Sequence, residues 1–283
     1  MSPLDLARWF TRRTIRTEPV RDPPREYAGL VRFQCNLCGS DNAVPPARIS
    51  REIASCAHCQ STVRLRGMAH LVVREVLRVE QPLTAVAPHG RLRGIGLSDD
   101  RRYAPRLAHI FDYENTFLDA EPKLDITAVP PERSGRYDFV TSSDVFEHVA
   151  PPVQRAFDGA RALLRPGGVL ILTVPFTLDA YTVEHFPELY DWRIERRDGA
   201  ARLHNVTRDG RTQRFDDLVF HEGPGPDGQP CAALEMRVFS RASLERACRD
   251  AGFARVRFVT EPCARFGIEW PEPFSMPMVA YAE

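Results

Sequence analysis

Lysine is almost missing from this chain: Lys123 is the only one in 283 residues, and arginine carries the rest of the positive charge. That bias is compositional and by itself points to no partner. Long apolar runs are missing too, with none near the roughly 20 residues that a membrane-spanning helix needs, so no membrane association is expected. The leading stretch MSPLDLARWFTRRTIR has arginines and scattered apolar residues without the continuous apolar centre of a secretory signal. A short amphipathic helix is expected there, and a cytoplasmic chain. Internal repeats and low-complexity tracts are absent, which excludes solenoids and arrays. No excess of either charge exists overall, with 38 basic against 38 acidic residues. Residues 1–66 carry 11 Arg against 6 Asp and Glu, but these arginines are dispersed and no aromatics interleave with them. That is the pattern of a solvated basic surface more than of a nucleic-acid track, so nucleic acid is the disfavoured partner.

What the chain does have is concentrated in residues 137–176, YDFVTSSDVFEHVAPPVQRAFDGARALLRPGGVLILTVPF. A β-branched and aromatic run over 137–142 stops abruptly at Ser142, Ser143 and Asp144, as a buried parallel strand does at its carboxyl edge. Pro151 and Pro152 then open a helix with Val153, Phe157, Ala160, Leu163 and Leu164 on one stripe. Arg165, Pro166, Gly167 and Gly168 end it before a second strand at 169–174. Strand, helix and strand in that order make one right-handed βαβ unit.

Four of the seven cysteines form two CxxC pairs, Cys35/Cys38 and Cys56/Cys59, with 17 residues between the pairs. Two such turns offer four thiolates to one tetrahedral zinc at roughly 2.3 Å, and Gly39 permits the tight knuckle after the first pair. A redox pair or two unrelated buried pairs are the alternatives, but redox CxxC motifs come singly beside a βαβ unit. A segment of this size is too small for its own core, so the zinc is expected to be structural. Cys231, Cys248 and Cys263 have no partner spacing and read as ordinary thiols.

YDFVTSSDVFEHV with LLRPGGVLILTVPF resembles strand four, its helix and strand five of class I S-adenosylmethionine-dependent methyltransferases of the small-molecule type, here with an N-terminal zinc ribbon. In weaker form the likeness runs from about residue 92 to the C-terminus, where SLERACRDAGFARVRFV and PMVAYAE resemble the last helix and the closing antiparallel hairpin. The resemblance implies an α/β, doubly wound, Rossmann-like sheet with that closing hairpin. It implies S-adenosylmethionine as cofactor, and a methyl group transferred to a hydroxyl or amine of a small molecule or glycan. A nicotinamide enzyme uses a similar sheet, but no GxGxxG follows a first strand here. An RNA methyltransferase with a zinc ribbon, or a non-catalytic ribbon protein with a degenerate methyltransferase domain, are the competing readings.

The resemblance places the cofactor at RGIGLSDD, with Gly94, Gly96, Ser98 and Asp99 where the family has its glycine loop, though the usual acidic residue and three alternating glycines are not reproduced. Asn115 or Thr116 stands where a ribose-binding acid is usual. Asp125 and Ile126 resemble the pair that meets the adenine, and Ser143 and Asp144 the residues beside methionine and acceptor. His148, His185 and His221 are the candidate catalytic bases, since histidine titrates near neutrality, with Glu184 beside His185. Glu147 and His148 alternatively only orient the next helix. The organisation expected is a lead at 1–30, a zinc ribbon at 31–66, a connecting segment at 67–82 with its helix over 67–79, and a methyltransferase domain at 83–283. An insertion at 177–237, longer than a normal connection and carrying a β-hairpin about Asp209 and Gly210, is expected to cover the cofactor. Its Phe186, Tyr190, Trp192, Phe215 and Phe220 are expected to line an apolar acceptor wall.

Overall fold

A computed structural model of the chain describes residues 29–197, 199–224 and 230–283. Nearly all of the N-terminal lead, with its expected amphipathic helix, lies outside the described residues. Strands β1 (Val31–Gln34) and β2 (Asp41–Val44) pair antiparallel, with Val31 opposite Val44. The first CxxC pair occupies their turn, where Gly39 at φ +80° donates its N–H to Cys35 O at 2.7 Å. Gln60 repeats the arrangement after the second pair, at φ 58° with its N–H on Cys56 O at 3.0 Å.

Thr62 caps the helix that follows, α1 (Val63–Val72), which passes into one wider turn over Val73–Leu77. The helix therefore begins at Val63, inside the stretch assigned to the ribbon, and not at Gly67, because the Thr62 side chain accepts from the Leu65 N–H. The apolar stripe alone did not locate that cap.

The central sheet is built from β3 (His89–Leu97), α2 (Ala104–Ile110), β4 (Phe111–Thr116), β5 (Tyr137–Ser143), α3 (Gln154–Leu163) and β6 (Leu164–Thr173). Then comes the insertion, with β7 (Phe176–Thr177), β8 (Val183–Glu184), β9 (Asp191–Arg197), β10 (Ala200–Val206), β11 (Thr212–Phe215), β12 (Phe220–Pro224), β13 (Pro230–Leu234) and β14 (Arg237–Ser240). The chain closes with α4 (Arg241–Asp250), β15 (Arg255–Phe258) and β16 (Met278–Tyr281). Sheet order is β15-β16-β6-β5-β3-β4. Strands β3 to β6 run parallel, while β16 pairs antiparallel with both β6 and β15.

Side chains alternate along each strand, so neighbours feed different layers. Phe139 and Ile171 join one cluster with α1, α2 and the cysteine module, through Met68, Leu107, Phe33 and Cys35. Val140, Leu170 and Leu172 join the other, with Phe157 of α3 and Leu244 of α4. Phe139, fully buried, contributes about 1.5–3 kcal/mol by burial alone. The cysteine module and the sheet thus share one hydrophobic cluster. Arg66 adds to this docking: it is fully buried, stacks 4.5 Å from the Phe33 ring and donates to the carbonyls of Phe266 and Gly267 at 2.8 Å.

The insertion packs on its own centre. Phe186, Leu189, Leu203, Leu234 and Met236 are buried there, with Phe215 and Phe220 against them. The expected hairpin about Asp209 and Gly210 is β10 with β11, which ends at Phe215, short of Phe220, and β9 extends it to three strands.

Candidate active site

The carboxyl ends of β3, β4 and β5 meet at a buried carboxylate. Asp99 accepts from the hydroxyls of Tyr103 at 2.6 Å, Tyr113 at 2.5 Å and Thr141. Burial raises its pKa against the pull of those three donors. Asn115 is committed to the same turn, accepting from the Asp99 N–H and donating to the Asp99 carbonyl, both at 2.9 Å. Those two bonds use one N–H and one lone pair of its amide and leave a second of each for a ligand. Gly94 and Gly96 also have internal reasons to be small. A Cβ on Gly94 would collide with the Phe139 ring, and one on Gly96 with the Tyr113 hydroxyl and, at 2.6 Å, with Asp99 Oδ2. The room the glycines leave is filled by the protein itself.

Ser98 is exposed at φ 54° and donates its N–H to Thr116 O at 2.8 Å. Asp125 sits at an exposed turn, where its carboxylate accepts from the Thr127 N–H and hydroxyl at 2.8 Å. Ile126 is buried in the core on the α3 face. The structure does not bring Asp125 and Ile126 into the polar cluster.

Ser143 and Asp144 are a different case. Asp144, at φ 55°, receives Arg51 through both carboxylate oxygens, at 2.6 and 3.0 Å, and the Thr173 hydroxyl at 3.0 Å. Arg64 lies 3.2 Å from Asp144 and donates to the Ser143 hydroxyl at 2.7 Å and to Glu52. Burial works to raise the Asp144 pKa, but the two guanidiniums outweigh it and hold the carboxylate well below its ordinary range. Arg51 and Arg64 come from the cysteine module, so that module supplies part of this edge. They and the buried Arg66 belong to the basic front of the sequence and are spent inside the protein. Beside them the Ser142 hydroxyl is buried without a partner among the described residues.

The three candidate histidines converge. Arg237, fully buried, pairs with Glu184 at 2.7 Å and donates to the carbonyls of Phe146 and Val149. The Met236 N–H adds a bond to Glu147 O at 2.8 Å. Those contacts clamp the end of the insertion on the turn after β5. Glu235 is then held between His185 Nε2 at 2.9 Å and His221 Nε2 at 2.8 Å. His148 Nδ1 meets Leu234 O at 2.9 Å, and its ring lies edge-on to His221 at 4.8 Å between centroids. Glu147 is fully buried, and neither carboxylate oxygen has a hydrogen-bond partner among the described residues. Burial first, and the charge of Asp144 next, push its pKa up to about 8. Burial and the neighbouring His221 bring His148 down to about 4. Burial lowers the His221 pKa, but Glu235 and Glu147 more than offset it, so the net shift is upward. Glu235 was not expected from sequence, and Glu147 only as a helix-orienting residue, since neither stands in a motif of its own. Glu184, expected as a possible base, is instead the partner of Arg237.

The apolar wall is only partly as expected. Phe186 and Phe215 contact each other edge-on and, with Phe220, pack the insertion's own centre. Tyr190 and Trp192 are exposed.

All four CxxC sulfurs lie within 4.8 Å of one another. Cys35–Cys59 and Cys38–Cys56 are 3.6 Å apart, close to the about 3.8 Å edge of a tetrahedron with 2.3 Å zinc–sulfur bonds. No described helix is long and apolar enough to cross a membrane.

No curated protein matches the chain in sequence. Solved structures that it resembles include an S-adenosylmethionine-dependent methyltransferase from Clostridium acetobutylicum, at 13% identity over 77% of this chain and 90% of that one, TM-score 0.43. Another is the sugar N-methyltransferase KedS8 from Streptoalloteichus, at 14% identity over 77% and 88%, TM-score 0.42. A third is the amino pentose methyltransferase CalS10 from Micromonospora echinaspora, at 18% identity over 78% and 94%, TM-score 0.42. Residues 93–257, from the first strand of the parallel sheet to the hairpin that closes it, match the family model described as a methyltransferase domain, and the chain belongs to that family.

Proposed function

We propose that the protein transfers a methyl group from S-adenosylmethionine to a hydroxyl or amine of a small molecule or glycan held between the carboxyl edge of the sheet and the insertion. The observation that carries the reading is the meeting of His148, His185 and His221 with Glu147 and Glu235 beside Asp144. A polar, buried cluster with shifted pKa values at the end of a central parallel strand supports a proton-handling role.

The cofactor supplies the methyl on a sulfonium. The residues proposed to hold it are the β3 backbone around Gly94 and Gly96, Ser98, and the Ser142–Ser143–Asp144 crest, whose orphaned Ser142 hydroxyl fits a ligand there. Asp144 carries a charge that suits the ammonium of an amino-acid moiety, which would share the carboxylate with Arg51 and Arg64. Asn115 and Asp125 remain proposed contacts to the ribose and the adenine, through the amide N–H and the carboxylate oxygen that their present bonds leave open. Much of the rate in an in-line displacement comes from orientation. The histidine cluster adds acceptance of the acceptor's proton, for which neutral His148 has a free ring nitrogen.

Structural zinc on Cys35, Cys38, Cys56 and Cys59 belongs to the same proposal, with the module holding Arg51 and Arg64 at the edge. An RNA acceptor fits less well, because Arg51, Arg64 and Arg66 face inward. The test is calorimetric binding of S-adenosylmethionine, followed by mass spectrometry of extracts given methyl-labelled cofactor. Cofactor binding with a labelled small product supports the reading; absence of cofactor binding removes it.

A further inference from the structure

We propose that Glu147, His148 and His221 form a second metal site, for a divalent transition metal of the zinc class, separate from the four cysteines. Their ligand atoms all lie within 4.8 Å of one another. His148 Nδ1 is 2.9 Å from the Leu234 carbonyl, which only accepts, so Nδ1 carries the hydrogen and Nε2 a lone pair. His221 Nε2 lies 2.8 Å from a Glu235 carboxylate oxygen as a close polar contact outside hydrogen-bond alignment, and Nδ1 is the ring atom nearer Glu147.

His148 Nε2 and His221 Nδ1 each lie 3.9 Å from the same oxygen of Glu147. That separation is too long for a hydrogen bond and about 0.5 Å longer than the about 3.4 Å edge of a tetrahedron with 2.1 Å bonds, so the side chains would close slightly on an ion. Glu147 is fully buried and has no donor among the described residues. Three side chains that can each ligate a metal thus converge on one point. The outer contacts resemble those of metal-ligating histidines, with one ring nitrogen bonded to a backbone carbonyl and the other ring close to a carboxylate that is itself held by His185. Two imidazoles and one carboxylate suit zinc, cobalt, manganese or iron(II) and suit magnesium and calcium poorly. His148 and His221 are each about one-fifth exposed at the side chain, which leaves a way in for an acceptor.

The role of the ion rests on the proposed methyl transfer: with the ion on His148 Nε2 that nitrogen no longer takes the acceptor's proton, and the ion instead would polarise an acceptor hydroxyl toward its deprotonated form. Binding of the ion does not depend on that reading. The full chain, purified with its cysteine-bound metal, is titrated with zinc alone and with cobalt alone, and metal content is measured by mass spectrometry. Two ions per chain are expected for the wild type and one for Glu147→Gln and for His221→Ala. Cobalt at the nitrogen and oxygen site should give weak visible bands, against the intense thiolate absorption of the cysteine site. A wild-type chain that takes up only the cysteine-bound ion in excess metal overturns the proposal, even if neither variant folds. Undiminished binding of the second ion by a folded Glu147→Gln overturns it as well. Methyl transfer without a second ion removes the metal alone, and a second ion without cofactor binding removes the methyl-transfer reading alone.

Discussion

Arg51, which lies between the two CxxC pairs, places Nη2 2.6 Å from Asp144 Oδ1 at the end of β5, across 93 positions of sequence. The cysteine module is therefore joined to the crest of the sheet by a buried, charge-assisted bond, with Arg64 beside it on Ser143. The ion proposed for the cysteines would fix the loop that carries Arg51. Its loss should be felt at the proposed cofactor site, although no cysteine is near the chemistry.

Cys38→Ser should lower zinc content by about one ion per chain and should also weaken S-adenosylmethionine binding, by about tenfold or more if one hydrogen bond to a charged group is lost. Metal analysis and calorimetry on the same preparation check this. Zinc loss with unchanged cofactor affinity would separate the module from the site.

Arg51→Ala removes one partner from a carboxylate that stays buried, and should cost about 3 kcal/mol in folding stability, read by denaturant unfolding. The same pairing sets a pH dependence. The folded pKa of Asp144 lies below its unfolded value, so the stabilisation is present above the ordinary Asp pKa of about 4 and is lost as pH falls toward the depressed value. Wild type should lose stability steeply below about pH 4, and Asp144→Asn, with nothing there to protonate, should show a shallower acid limb.

Gly96→Ala is expected to act on folding before it acts on binding. The added methyl meets the Tyr113 hydroxyl and Asp99 Oδ2, and displacing a buried hydrogen-bonded cluster should cost about 1–3 kcal/mol. A thermal melt lowered by several degrees is the outcome expected. An unchanged melt with abolished cofactor binding would instead show that the space beside Gly96 belongs to the ligand.

The βαβ unit was legible because its signals are local, a strand that ends in Ser142, Ser143 and Asp144 and a helix after two prolines. Its boundaries were not: Leu164 and the Pro-Gly-Gly segment, expected as helix and stop, belong to β6, where Leu164 pairs with Tyr137. The CxxC spacing was legible for the same reason, since one turn brings two sulfurs together. Arg51 and Arg64 were not, because in a chain whose basic charge is nearly all arginine, an arginine that crosses to another module looks like any surface arginine. Gly94 and Gly96 were visible but ambiguous. Whether a missing Cβ admits a ligand or a neighbour such as Phe139 depends on a partner strand elsewhere in sequence. The histidines were each visible beside a glutamate, yet the glutamate that joins two of them, Glu235, lies 50 residues from His185. Only the folded insertion, fastened through Arg237, brings that pair to Glu147.

His185 offers the sharpest test of what the cluster does, because it touches Glu235 and is not among the three proposed metal ligands. Removing its ring leaves Glu235 with one donor fewer and lets His221, held by the same carboxylate, rotate. His185→Ala should therefore lower kcat by about 10- to 100-fold while cofactor affinity stays near wild type, the pattern of an interaction used in the reaction and not in donor binding. It should also cost about 1–3 kcal/mol, since Glu235 is buried. A stability loss alone is what a structural histidine would show, so turnover has to be measured well below the melting temperature. His185→Gln separates the remaining possibilities. Its amide N–H can replace the bond to Glu235 but cannot take a proton at neutral pH, so recovery of both stability and turnover makes His185 a positioning residue. Recovery of stability without turnover makes it the base, and full activity in His185→Ala removes it from the site.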